Sequence, residues 1–113
     1  MQYGDLAALE RLLVRAREGI EFVQNRIRPD LDRDRMLALG VCGQLTLVGR
    51  VAGFISQDTR NAMPEMRWDE IVDRGARLIR EYDAVDYDDV WRALTEELPA
   101  MVPVLERALA ERG

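Results

Sequence analysis

The chain has 113 residues, 48% of them hydrophobic, which suits one domain with one core that folds without metals or disulfides. A single cysteine, Cys42, excludes an intrachain disulfide. The net charge of −5 argues against strong nonspecific nucleic-acid binding by the whole surface, while leaving room for a local basic patch.

All 16 basic residues are arginine, as GC-rich codon usage would produce, so the arginine count alone is no sign of RNA binding. The chain opens without a basic stretch followed by an apolar one, and no signal peptide is expected. Its most apolar run, "MLALGVCGQLTLVG" from Met36 to Gly49, is too short to span a bilayer and carries Gln44. A soluble cytoplasmic protein without membrane contact is expected.

Helical spacing dominates, strand-like alternation is absent, and there are no repeats or linkers. A first helix is predicted from Asp5, as N-cap, to about Arg26, with Leu6, Leu9, Leu13, Ala16, Ile20, Val23 and Ile27 as its apolar stripe. "RPDLDRD" interrupts it, since proline disfavours helix in the residue before it. A long central helix is predicted from about Asp32 to Thr59. It contains Gly40, Gly43, Gly49 and Gly53. Each costs roughly 1 kcal/mol against alanine, which points to close approach by another helix, within the chain or across a subunit contact. A third helix is predicted from about Arg67 to Glu81, with Trp68, Ile71, Val72, Leu78, Ile79 and Tyr82 facing inward. A fourth runs from Asp86, as N-cap, to about Glu97, and Pro99 suits the first turn of a last helix ending near Glu111. The sum is an all-α antiparallel bundle of about five helices in a single domain, 1–113.

Metal and phosphate chemistry find little support. There is no histidine, the one thiol sits in an apolar helix, and no GK[ST] follows the glycines. No cofactor is expected. The four aspartates of "YDAVDYDD" fit no EF-hand, and Asp86, Asp88 and Asp89 suit a helix N-terminus. "DRGARLIREY", Asp73 to Tyr82, is the most suggestive stretch. Arg74, Arg77 and Arg80 spread over roughly 120° of helix surface. Glu70, Asp73 and Glu81 stand four residues from one or another of them, so a salt-bridged solvent face accounts for the row, and a phosphate- or RNA-binding row also does.

The segment "MPEMRWDEIVDRGARLIREYDAVDYDDVWRALTEELPAMVPVLERAL" resembles the HepT-like branch of the HEPN superfamily. Pro64 and Trp68 match the opening of the family's motif helix and Tyr82 its motif tyrosine. Val85, Asp86, Val90 and Trp91 match the turn and helix that follow, and Leu98 and Pro99 the step into the last helix. Gly49 matches a glycine that the family usually follows with Glu-Ala; here Arg50 and Val51 follow. The resemblance covers nearly the whole chain. It implies an all-α bundle that homodimerises, and a metal-independent ribonuclease toxin encoded beside a minimal nucleotidyltransferase antitoxin. In some such pairs the antitoxin transfers AMP to the motif tyrosine, which would make Tyr82 a modification site.

With Tyr82 as anchor, the family's arginine falls on Gly75, its asparagine on Ala76 and its histidine on Arg80. Cleavage through the 2′-OH needs a group that accepts a proton and one that returns it. Arginine stays protonated, so Arg80 cannot be a base, although it can hold phosphate. Glu81 or Tyr82 would be the substitute base. Three readings follow: a degenerate HepT-like protein that binds a nucleotidyltransferase, RNA or both; a ribonuclease with an altered mechanism; or a helical adaptor that kept only the fold.

Overall fold

A computed structural model describes residues 3–112. Its elements are α1 (Tyr3–Phe22), α2 (Asp30–Arg33), α3 (Arg35–Gly53), α4 (Gln57–Ala62), α5 (Trp68–Arg80), α6 (Tyr87–Arg92), a π turn (Ala93–Glu97) and α7 (Leu98–Arg112). No strand occurs among the described residues. The core is drawn from α1 (Leu9, Leu12, Ala16), α3 (Val41, Leu45, Val48) and the last helical stretch (Val90, Leu94, Leu98, Leu105). Burial of these aliphatic side chains, at roughly 1.5–3 kcal/mol for each leucine and valine, is the main force holding the bundle.

The predicted central helix is divided by its own polar residues. Asp34 accepts a hydrogen bond from the Leu37 backbone N–H at 3.0 Å and starts α3. Ser56 caps α4 and forces the break at Phe54–Ile55. Short polar side chains that satisfy backbone donors compete with a continuous helix, and here they win twice. Asp5 is no N-cap. It lies inside α1, buried, and accepts hydrogen bonds from the Ser56 backbone N–H (2.9 Å), the Ser56 hydroxyl (2.6 Å) and the Thr59 hydroxyl (2.7 Å). That clasp ties the start of α1 to α4. α1 ends at Phe22, short of Arg26, and Ile27 is exposed rather than part of the stripe.

Asp86 does cap α6, accepting from the backbone N–H groups of Asp88 (3.1 Å) and Asp89 (3.2 Å). Pro99 lies in the first turn of α7, as predicted, but no break separates that helix from α6. α6 runs through the π turn into α7, and the Leu98 N–H reaches back five residues to the Ala93 carbonyl. A proline inside an α-helix removes a donor and presses its ring on the carbonyl four residues back. The widened turn just before Pro99 accommodates both effects.

α3 and α5 pack closely, and antiparallel, since Gly49 meets Ile71 while Gly75 meets Leu45 and Thr46. A Cβ built on Gly49 would stand 2.8 Å from the Ile71 carbonyl oxygen and 2.9 Å from the Gly75 Cα. One built on Gly75 would meet the Gly49 Cα at 3.0 Å. Two backbones therefore touch here, and only glycine at both positions permits it. Gly40 is covered by the Phe22 ring, while Gly43 and Gly53 have nothing within 4 Å of a built Cβ. By length and composition α3 could cross a membrane; in this fold its Leu37, Val41, Leu45 and Val48 side lies in the core.

Candidate functional site

The arginine row of α5 divides into three environments. Arg74 is 7% exposed. Its Nε donates to Asp89 Oδ2 at 3.0 Å, and its Nη1 and Nη2 donate to the two Glu97 carboxylate oxygens at 3.0 and 2.7 Å. This is a bidentate pair plus a third charge-assisted bond, the arrangement for which the guanidinium fork is shaped. Arg77 is half-buried and donates to Asp89 Oδ2 at 3.2 Å and to Asp73 Oδ2 at 3.4 Å. Arg80, the last residue of α5, is exposed and forms no hydrogen bond or ion pair.

The acids that answer this row come from the next helical stretch. Asp89 faces Arg74, Arg77 and Arg92 together. Burial alone pushes its carboxyl up; the Arg74 hydrogen bond and charge, with Arg92 and Arg77, outweigh that and hold it below the ordinary carboxylate range. Arg74 is likewise held above its ordinary value, because Glu97 and Asp89 more than offset its burial. Glu97 belongs to the π turn, and the extra residue of that turn is what brings it round toward α5. A cleft of about 450 Å³ runs over the network, lined by Arg67, Glu70, Asp73, Arg77 and Arg92 beside the buried trio. Its four arginines face four carboxylates, so its formal charges balance.

The motif positions fall elsewhere. Gly75 sits at the α3–α5 crossing, where an arginine side chain has no room without separating the helices. Ala76 is exposed one residue further round. Tyr82 lies in the turn after α5 and is 71% exposed, not packed on the inner face, because the helix ends at Arg80. Ile79 is also outside the core. Arg80, Glu81 and Tyr82 thus form an open edge with a cation, an acid and a phenol but no histidine. Cys42 is packed against the core, and burial pushes its thiol up, away from nucleophilic use. No group of three acid or thiol side chains able to hold a metal occurs among the described residues.

Asp89 and Glu97 are the residues that spacing arguments along α5 miss. They stand 15 and 23 residues from Arg74. The available signal was their mutual spacing of eight, about two turns of one helix, which gives a single acidic face opposite the row.

The family model "Ribonuclease HepT-like" matches residues 12–108. The chain is 27% identical over 100 residues to "Putative RNase MJ1380" of Methanocaldococcus jannaschii, covering 88% of this chain and 92% of that protein. It is 26% identical over 94 residues to "Probable ribonuclease HepT" of Thermococcus cleftensis, covering 80% and 86%. No solved structure matches. The match runs from the middle of α1 into α7 and includes the α3–α5 pair and the turn that carries Tyr82. The chain belongs to the HepT-like ribonuclease family of the HEPN superfamily.

Proposed function

We propose that this chain is a HepT-like protein of a toxin–antitoxin module, impaired in RNA cleavage, that acts by binding RNA, a minimal nucleotidyltransferase partner, or both. The observation that carries this reading is Arg80. It stands at the position of the family histidine, at the open end of α5, with its charge unpaired. A fixed cation there holds a phosphate but moves no proton at neutral pH. The buried Arg74 is spent on Glu97 and Asp89, which leaves Arg80, with Arg77 at the cleft wall, as the phosphate contact. Exposure of Tyr82 beside it supports its availability to an AMP-transferring partner, whose product would add negative charge where RNA binds.

The test is incubation of pure protein with labelled single-stranded RNA at pH 7.5 in EDTA. Binding without cleavage, weakened by Arg80→Glu, is the expected outcome. Efficient cleavage that vanishes in Arg80→Ala would overturn the reading. Co-purification with the product of the neighbouring gene, and intact-mass measurement of Tyr82 after co-expression, test the partner.

A further inference from the structure

A shallow pocket of about 390 Å³ lies between the end of α1 and the middle of α3, lined by Glu18, Glu21, Phe22 and Gln44. It shares no residue with the arginine cleft or with the open edge at Arg80. Gln44 Oε1 is the one buried side-chain oxygen or nitrogen without a hydrogen-bond partner among the described residues. Its neighbour fixes which way the amide points. Nε2 donates to Glu18 Oε1 at 3.4 Å, and a flipped amide would set oxygen against carboxylate. A buried acceptor left without a donor costs stability, so it calls for a reason.

The other walls carry matching chemistry. Glu21 is exposed, and its carboxylate forms no hydrogen bond or ion pair. Glu18 Oε1 is shared by Arg15 and Gln44, which leaves Oε2 open. The Phe22 ring is 39% exposed and rests against α3 at Gly40, where an added Cβ would stand 2.8 Å from it, so the glycine seats the ring. Two carboxylates against the one guanidinium of Arg15 leave a formal charge of −1. The only donor lining the pocket, Gln44 Nε2, is already spent on Glu18.

We propose that this pocket binds a guanidinium group. Its ligand must be cationic and must bring donors alone. A guanidinium does both: its planar fork gives two N–H groups to a carboxylate, its face stacks on an aromatic ring, and it sheds water more readily than an ammonium. Glu21 takes the fork, Phe22 the face, and Gln44 Oε1 a remaining N–H. The terminal torsion of a glutamine is soft and the 3.4 Å bond to Glu18 is long, so a small turn of the amide brings Oε1 to the pocket. The group can belong to a free small cation or to an arginine side chain of another protein.

The isotope-labelled protein is titrated with agmatine, with a blocked Ala-Arg-Ala peptide and with putrescine, while NMR follows the Gln44 side-chain amide and the Gly40 backbone N–H. Agmatine is expected to saturate with a dissociation constant on the order of 1 mM, and putrescine, of the same charge but without a guanidinium, to bind about tenfold more weakly. Glu21→Gln weakens agmatine about tenfold and Phe22→Leu about threefold, while Glu10→Gln, the same charge change elsewhere on α1, alters it less than about twofold. Gln44→Met abolishes binding and raises Tm by about 4 °C, because it removes the orphan acceptor. A peptide that binds more tightly than agmatine assigns the group to a protein partner; the reverse order assigns it to a free cation, and either supports the site. Putrescine as tight as agmatine, a Glu21→Gln response equal to that of Glu10→Gln, or a Gln44→Met protein less stable than wild type overturns the proposal.

Discussion

Replacing Arg74 by methionine keeps the aliphatic stem that packs under α6 and removes the guanidinium. Asp89 retains Arg77 and Arg92, but Glu97 loses its only ion pair while its side chain stays 19% exposed. Breaking a buried pair from one side costs about 3–5 kcal/mol; partial access of Glu97 to water reduces this to about 2–3 kcal/mol. For a domain of this size that is a fall in Tm of about 10 °C. Most of the loss is the stranded carboxylate rather than the missing bond. The double variant Arg74→Met/Glu97→Met should therefore recover at least half of it. Urea unfolding followed by circular dichroism gives the free energies, with m-values checking that the transition stays two-state. An Arg74→Met variant within 1 kcal/mol of wild type, or a double variant less stable than the single, would refute the view of Glu97 as a buried charge held by Arg74.

Gly49→Ala forces its Cβ against the backbone of α5 and should cost about 2–3 kcal/mol in the same assay; an effect under 0.5 kcal/mol would mean the crossing is looser than it looks. Asp89 is held below its ordinary range in the fold, so its contribution is present above the unfolded carboxylate value near 4 and is lost as pH falls through the lower folded value. Asp89→Asn should be less stable at pH 7 and lose less on acidification below about pH 4. Arg80→His combined with Ala76→Asn supplies a group that can accept a proton, and RNA cleavage in EDTA should rise about 100-fold, along an arm near pH 6.5. No rise would show that a base is not what the site lacks.

Much of the architecture is readable from side-chain periodicity, because apolar stripes on helices need only local spacing. Asp86 is recognisable as a cap for the same reason: its donors are two and three residues away. What spacing cannot reveal depends on competition or on distance. Asp34 and Ser56 each interrupt a run that hydrophobicity alone would continue, and Pro99 marks the start of α7 without revealing that a π turn joins α7 to α6. Arg74 has a plausible partner on its own helix, Glu70, yet it turns inward to acids that the fold delivers from the far side. Helical phase alone puts Tyr82 inward; it cannot say that the helix stops at Arg80. The glycine at 75 is visible as a departure from the family motif, but its role as half of a backbone contact with Gly49 needs the structure.

The π turn has a further meaning for chain length. Such a turn is one residue more than an α-helix needs, stored as a bulge. Deleting Glu96 would let α6 and α7 join as an ordinary helix, shifting the two segments by about 100° relative to each other. Leu98, Met101 and Leu105 would rotate out of phase with Val90 and Leu94, and Glu97 would swing away from Arg74. The position therefore acts as a phase register between the C-terminal helix and the arginine helix, and a single-residue deletion there should be far more damaging than the same deletion in the turn at 81–84.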